Sequence, residues 1–216
     1  MITVHHLNNS RSQRILWLLE ELAIPYDIKR YQRDATTNLA PPELTAVHPL
    51  GKSPVITDGN TVVIESGAII EYVVTKHGKG RLVPDKNSPN WVKYLQWMHY
   101  AEGSAMLPLM LGLYAGRLGA AAEPLKPRIE SETVRHLGYM ESALQNSEYF
   151  AGPDFTACDI QLCFVEEVAR AFGHLAKHPR LASHLERMQK RPAYLRALAK
   201  GGPYNLGPPS QTAARS

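Results

Sequence analysis

A polar turn near the N-terminus is the first stretch of this sequence whose residue types could do chemistry. Residues 5–22 read HHLNNSRSQRILWLLEEL, so two asparagines, two serines and an arginine separate a short apolar run from a strongly periodic one. A serine hydroxyl in the first turn of a helix can stabilise a negative charge, helped by the helix dipole. Ser10 and Gln13 also match the S-x-x-Q capping box, in which the hydroxyl serves only the backbone. Both interpretations stay open on these residues alone.

Cysteine and histidine residues offer less chemistry. Cys158 and Cys163 are the only cysteines, so no disulfide framework is predicted and a reducing, cytoplasmic location is expected. The two thiols lie five residues apart on a predicted helix, which favours core packing over redox chemistry. His174 and His178 are four residues apart, but no third ligand is evident and Pro179 follows. We therefore predict no metal site.

Composition excludes several classes of protein. The net charge of +4 comes from scattered residues, without a basic cluster or an accompanying arginine and aromatic ladder, so no nucleic-acid partner is predicted. No apolar run approaches the roughly 20 residues that cross a bilayer, so no membrane association is expected. The first residues, MITVHHLNNS, also lack the pattern of a secretory signal.

The elements that must position the polar turn follow from hydrophobic periodicity. In the first part of the chain the pattern predicts a strand at 2–7, a helix over 15–22, a strand at 26–32, a loop, a hairpin of 55–57 and 62–64, and a helix over 69–77. The Asp-Gly pair at 58 and 59 is typical of a hairpin turn. A length of 216 residues suits two small domains.

The second part of the chain has a different pattern. Residues 79–89 concentrate glycine, proline and charge and are predicted to be a linker that follows a first domain at 1–78. Helical spacing then runs over about 91–113, 125–146, 158–172, 179–190 and 193–200, and no strand is predicted. A helical domain is expected at 90–205. The end of the chain from Gly201 has little apolar content, so we expect an arm or a frayed tail there, with 206–216 outside both domains.

Four motifs in this order resemble the glutathione S-transferases of the soluble, cytosolic type along nearly the whole chain. They are NSRSQRILWLLEEL at 9–22, HPLGKSPVI at 48–56, ES at 65–66 and FTACDIQL at 155–162. The resemblance is to bacterial, serine-type, theta-like members. It implies an α/β thioredoxin-like N-terminal domain that binds glutathione, an all-α helical C-terminal domain that lines the site for the electrophile, and a homodimer. The implied role is detoxification by a cytoplasmic transferase, with glutathione as co-substrate.

Ser10 matches the catalytic serine of the theta-like members. Half ionisation of a thiol at neutral pH needs its pKa to fall by about 1.5 units from ~8.5, or roughly 2 kcal/mol. One hydrogen bond to the charged sulfur contributes about 1.5 to 3 kcal/mol. Asn9 and Ser12 are alternatives for the same role, and Arg11 could add positive charge near the sulfur. Arg14 would be the buried structural arginine of these members.

Two further motifs would hold the peptide. In this fold the proline of Ser53-Pro54 is usually cis, which turns the backbone of Val55 toward the cysteine of glutathione. Lys52 would bind the glycyl carboxylate, with His48 as a second candidate. At the start of the next helix, Ser66 suits a carboxylate and Glu65 can pair with the α-amino group of the ligand.

FTACDIQL carries structure rather than chemistry. Thr156 and Asp159 form a variant of the capping box, and Phe155 can pack onto Ile160 across the first helical turn. A helix nucleated in this way is expected to lie in the core of the helical domain.

The electrophile would lie against the first long helix of the second half. The resemblance assigns this role to Met106, Leu107, Met110 and Tyr114, and the soft methionine side chains suit varied apolar substrates. Glu102 interrupts this apolar stripe and is expected to face either the pocket or the dimer partner.

Other functions on the same fold remain open. Glutathione-dependent peroxidase, isomerase or dehalogenase activity is one group, and a non-catalytic binding protein is another. A dithiol oxidoreductase needs C-x-x-C at the start of the first helix, where this chain has S-R-S-Q, and a cysteine-type transferase is excluded at the same place.

Overall fold

A four-stranded sheet with two helices forms the first part of the chain. The computed structural model describes residues 1–206. Its first elements are β1 (Ile2–Leu7), α1 (Ser12–Glu21), β2 (Tyr26–Tyr31), a 3-10 turn (Pro42–Leu44), β3 (Val55–Asp58), β4 (Thr61–Ile64) and α2 (Ser66–Lys76). The strand order is β2-β1-β3-β4; β1 pairs parallel with β2, whereas β3 runs antiparallel to both neighbours. The predicted thioredoxin-like fold is confirmed.

The second part is helical, as the sequence predicts. Its elements are α3 (Asn90–Tyr100), a π-helical turn (Ala101–Ala105), α4 (Met106–Gly116), a 3-10 turn (Gly119–Leu125), α5 (Lys126–Ala143), α6 (Ala157–Ala171), a 3-10 turn (His174–Lys177), α7 (Pro179–Gln189) and α8 (Pro192–Gly201). The sequence predicts one long helix over 91–113, and the structure replaces its middle with the π-helical turn. Such turns often mark functional positions because they change the direction of side chains.

The core is shared by the two parts because α1 is covered on nearly all sides. Nine of its ten residues are buried, and the helix packs against β1, α2, α6 and α8. Trp17 is fully buried and meets Phe155 and Tyr194 through ring contacts of 5.9 and 5.2 Å between centroids. The polar turn before α1 is therefore held in a fixed position by a buried helix.

The start of α6 confirms the predicted capping box. Asp159 accepts a hydrogen bond from the Thr156 backbone at 2.8 Å, and it also accepts from the backbone of Phe150 at 2.9 Å. Cys158 in the motif and Cys163 directly after it are buried in the core, and burial raises the pKa of each thiol. Phe155 contacts Trp17 and Tyr149, so the loop before α6 is also tied to α1.

The end of α8 corrects one expectation. Residues 203–206 are not a frayed arm, because Tyr204 donates a hydrogen bond to Glu167 at 2.7 Å and Tyr204 and Leu206 pack on the core. The backbone N–H of Asn205 donates to the side-chain oxygen of Asn9 at 2.7 Å. The predicted tail beyond Leu206 lies outside the described residues. The domain limits at 78, 89 and 205 stay predictions.

Candidate active site

Ser10 occupies the turn between β1 and α1, and the shortest contacts of its hydroxyl are with residues of the same turn. Its Oγ donates to the carbonyl of Leu7 at 2.8 Å, lies 2.8 Å from the Oγ of Ser12 and accepts from the Ser12 backbone at 3.2 Å. The N-cap of α1 is Arg11, without a side-chain cap, and the buried amide of Gln13 has no partner among the described residues. The S-x-x-Q capping box is therefore not formed, although the Ser10 hydroxyl does bond the backbone of Leu7 and Ser12.

The two alternatives to Ser10 are engaged elsewhere. Ser12 is fully buried, and its hydroxyl lies 2.8 Å from the Nδ1 atom of His6. A side chain in that position does not reach a ligand, so Ser12 does not fit the role at the sulfur. Asn9 has a left-handed backbone (φ 50°), and its side-chain oxygen holds the C-terminal segment at Asn205. Ser10 is the candidate that the geometry favours.

A buried histidine stands behind the two serines, and the sequence analysis missed it. Burial lowers the pKa of His6 to about 4, opposed by a hydrogen bond to the backbone of Gly201 and assisted by Arg30. The ring is therefore neutral at pH 7. The Nδ1 atom lies 2.8 Å from the Ser12 hydroxyl, and the tautomer of the ring decides which of the two donates. The double histidine before the turn was the only signal in the sequence.

The turn at Ser53-Pro54 lies beside Ser10, and its peptide bond is cis, as expected. The Ser53 hydroxyl donates to the His5 carbonyl at 3.0 Å and lies 3.5 Å from the hydroxyl of Ser10. Val55 begins β3 and pairs with His5 on one side and Ile64 on the other. Its backbone groups are thus inside the sheet, which corrects the expectation that Val55 faces the peptide. In residues 1–206 the backbone of Ser53 has no backbone partner.

Glu65 and Ser66 lie at the N-terminus of α2, in different environments. Glu65 is exposed and has a positive φ of 66°, a conformation that costs about 1 to 3 kcal/mol for a residue other than glycine. Ser66 is buried, and its Oγ accepts from the Arg14 guanidinium at 3.2 Å. Such strain concentrates at ligand sites, so the Glu65 conformation supports a binding role.

The loop before the cis proline carries the other two candidates. Lys52 is exposed to solvent, and the Nδ1 atom of His48 accepts from the backbone of Leu50 at 3.3 Å. His48 therefore has one ring nitrogen committed to its own loop, and Lys52 is the better candidate for a carboxylate.

An ion cluster joins the start of α1 to the second half of the chain. Arg14 is buried, as expected; it donates to the Gln161 carbonyl at 2.7 Å and pairs with Glu102. The Nε atom of Arg11 donates to both oxygens of Glu102, at 2.9 and 3.0 Å. Burial alone would raise the pKa of Glu102, but Arg14 and Arg11 lower it to about 2. Glu102 thus faces α1, which the sequence did not indicate.

The apolar candidates on α4 do not share one environment. Met106 is only 2% exposed and belongs to the core, which corrects its assignment to the electrophile pocket. Leu107 and Tyr114 are more than half exposed, and Met110 is partly buried. Leu107, Leu111 and Tyr114 form an exposed apolar stripe at helical spacing, and Met110 is not part of it.

Comparison with known proteins decides the family. The family model "Glutathione S-transferase, N-terminal domain" matches residues 1–75, and "Glutathione S-transferase, C-terminal domain" matches residues 108–198. Glutathione S-transferase 3 of Schizosaccharomyces pombe is 40% identical over 178 residues, which are 76% of this chain and 72% of the relative. This chain belongs to the glutathione S-transferase family. Glutathione conjugation is the activity that this family membership supports.

Solved structures agree with this family assignment. A crystal structure of a glutathione S-transferase from Actinobacillus pleuropneumoniae has a TM-score of 0.88 at 28% identity, covering 100% of this chain and 97% of that one. A glutathione transferase homologue from Sulfitobacter, solved with bound glutathione, shares the fold at 23% identity, with a TM-score of 0.78 and coverage of 93% and 98%.

Residues 1–206 contain no cluster of three or more histidine, cysteine or acidic side chains arranged to hold a metal ion. None of the helices in this part of the chain has the length and apolar character to cross a membrane.

Proposed function

We propose that this family member is a serine-type, theta-like glutathione transferase that conjugates the glutathione thiolate to small hydrophobic electrophiles. The observation that carries the proposal is the Ser10 hydroxyl, which lies at the start of α1 and 3.5 Å from the Ser53 hydroxyl beside the cis proline. We also propose a bacterial source and a cytoplasmic location, and these two proposals rest on the sequence alone.

The shift in thiol pKa that the reaction needs is small enough for one hydrogen bond to supply. A thiolate accepts hydrogen bonds more strongly than a neutral carbonyl does, so the Ser10 proton that now goes to Leu7 would turn to the sulfur. One such bond is worth about 1.5 to 3 kcal/mol, against the roughly 2 kcal/mol needed for half ionisation at pH 7. The thiolate then attacks the electrophile, forming a carbon–sulfur bond as the leaving group departs with its electron pair.

The peptide would be held from three turns. The free backbone groups of Ser53 take the place first assigned to Val55 and would pair with the cysteine as an added strand does. Lys52 would bind the glycyl carboxylate. Ser66, at the N-terminus of α2, would bind the γ-glutamyl carboxylate, and the exposed Glu65 would bind its amino group.

A homodimer belongs to the proposal because apolar side chains are exposed on β4 and on α3. β4 is the outer strand of the sheet, and Val62 on it is 47% exposed; Val92 on α3 is 60% exposed. Sedimentation equilibrium would give twice the mass of 24.1 kDa if this is right.

The test of function is binding followed by turnover. Calorimetry with glutathione and with an S-alkyl glutathione should show association, and the protein should accelerate conjugation of an aryl halide such as 1-chloro-2,4-dinitrobenzene. Binding without turnover of aryl or benzyl halides, with activity toward a hydroperoxide instead, would move the function to the peroxidase alternative. Absence of any association with glutathione would leave a non-catalytic scaffold.

A further inference from the structure

Positive charge accumulates beside Ser10. Arg11 follows Ser10 directly, Arg14 lies one turn further along α1, and Arg33 donates to the carbonyl of Asn9 at 3.2 Å. Within residues 1–206, Glu102 is the only carboxylate that contacts any of these arginines. Arg11 and Arg14 thus share one carboxylate, and Arg33 contacts none in this part of the chain. Burial lowers the pKa of both Arg14 and Arg33, and repulsion by Arg11 adds to each shift, so Arg11 is close enough to act on both charges.

Two of the three arginines are bonded mainly to groups of the protein itself. Both terminal nitrogens of Arg14 are used, on the Gln161 carbonyl and on Ser66 and Glu102. Arg33 spends Nε, Nη1 and Nη2 on the backbone carbonyls of the surrounding loops. These contacts tie both groups to the surrounding backbone and side chains.

Arg11 is different, because only one edge of its guanidinium is engaged. Its Nε atom binds Glu102, and in the described part of the chain Nη1 and Nη2 have no partner. The side chain is 27% exposed, so these nitrogens are accessible. The guanidinium carbon lies 5.0 Å above the centre of the buried Phe164 ring. Glu102 on one edge and the Phe164 ring below fix the orientation of the Arg11 guanidinium before any ligand binds. This reduces the conformational entropy that the side chain loses on binding.

We infer that Arg11 selects the electrophile, by binding a carboxylate on it through Nη1 and Nη2. The inference rests on the proposed function, whose substrate class it narrows to apolar electrophiles that carry a carboxylate. Two parallel N–H groups match the spacing of carboxylate oxygens, which a single lysine ammonium does not. The exposed stripe of Leu107, Leu111 and Tyr114 would contact the apolar body of the same molecule.

The charge of Arg11 could instead act on the thiolate or on a carboxylate of glutathione. The experiment must distinguish these two roles from binding of the electrophile. If Arg11 stabilised the thiolate, its removal would slow every electrophile equally and raise the thiol pKa. If it bound a carboxylate of glutathione, its removal would raise the KM for glutathione with every electrophile. If Arg11 selects the electrophile, its removal should lower kcat/KM only for electrophiles that carry a negative charge.

The substrates 4-(chloromethyl)benzoate and 4-(chloromethyl)benzamide differ by charge at nearly equal shape. In both reactions the sulfur forms a bond to the benzylic carbon and chloride leaves with the electron pair. Wild type should prefer the benzoate, after correction for the uncatalysed rates. Arg11→Gln should lower kcat/KM for the benzoate about tenfold or more relative to the amide, the loss of a charge-assisted contact. Arg11→Lys should retain part of the preference because it keeps the charge but not the fork.

Arg128→Gln is the matched control. Arg128 lies on α5 with a 74% exposed side chain, so this variant removes the same charge from a solvated position. It should keep the wild-type ratio of benzoate to amide. Circular dichroism and the melting temperature would show that each variant is folded.

Calorimetry with the two S-benzyl glutathione products tests Arg11 without turnover. The 4-carboxybenzyl conjugate should bind wild type more tightly than the 4-carbamoylbenzyl conjugate, and Arg11→Gln should remove that difference. Equal affinities in wild type, or a parallel loss with both products or both substrates in Arg11→Gln, would overturn the inference. Failure of wild type to conjugate either chloride would contradict the proposed function, while the calorimetric comparison would still decide the role of Arg11.

Discussion

Replacing Ser10 by alanine tests the central chemical step most directly. Ser10 is 5% exposed, and its hydroxyl, with one proton to donate, lies 3.5 Å from the Ser53 hydroxyl beside the cis proline. Loss of a hydrogen bond worth about 1.5 to 3 kcal/mol corresponds to a rise of the thiol pKa by about one to two units. Below both pKa values the thiolate fraction, and with it kcat/KM, should fall about ten- to a hundredfold. The deficit should narrow as the pH rises above the new pKa.

The assay is an ultraviolet titration of the thiolate of bound glutathione, together with the pH profile of kcat/KM for an aryl halide. Ser12→Ala is the matched control, because it removes a hydroxyl two residues away that is fully buried against His6. It should shift the thiol pKa less than Ser10→Ala does. An unchanged pKa in Ser10→Ala, with a raised one in Ser12→Ala or Asn9→Ala, would refute the assignment of the donor.

Three further predictions concern the framework of the site. Glu102→Gln leaves the buried Arg14 without a charged partner, so urea unfolding should show a loss of roughly 2 kcal/mol, below the ~3 to 5 of a fully buried pair because Glu102 is 30% exposed; an unchanged midpoint would contradict this. Two carboxylates raise the pKa of buried His184 to about 9, so its stabilisation is complete below the unfolded value of ~6.5 and is lost as pH rises through 9. The melting temperature should fall from pH 7 to 9.5 by more in wild type than in His184→Gln, and parallel curves would exclude this origin. Gly201→Ala would place a methyl group 2.5 Å from the side-chain oxygen of Gln13, so it should lower the melting temperature, whereas Gly138→Ala, with open space around it, should not.

The sequence was sufficient to predict features that depend on a short motif or on neighbouring residues. The capping box at Thr156 and Asp159, the hairpin at Asp58 and the buried Arg14 all follow from chemistry that acts within a few residues or from a motif with fixed spacing. The periodicity that predicts α1 also holds, because its apolar residues face partners on nearly every side.

Contacts between distant residues explain what the sequence analysis missed. Glu102 is 88 residues from Arg14, and Asn205 is 196 residues from Asn9, so neither contact leaves a periodic signal. The exclusion of Val55 from the peptide site depends on strand order, since only a central β3 pairs on both sides. Burial of Met106 likewise depends on which face of α4 meets the core.

One guanidinium couples the two sides of the site. Arg14 begins on α1 and reaches Ser66 at the start of α2, the carbonyl of Gln161 on α6 and Glu102 in the π-helical turn. Ser66 is a proposed contact of the peptide, while Glu102 orients Arg11, the proposed contact of the electrophile. A shift of Arg14 therefore moves both contacts together, because each is bonded to the same rigid plane. The positions of the glutathione contact and of the electrophile contact are both set by the buried Arg14 side chain. Replacing Arg14 should therefore weaken the binding of glutathione and of the electrophile at the same time.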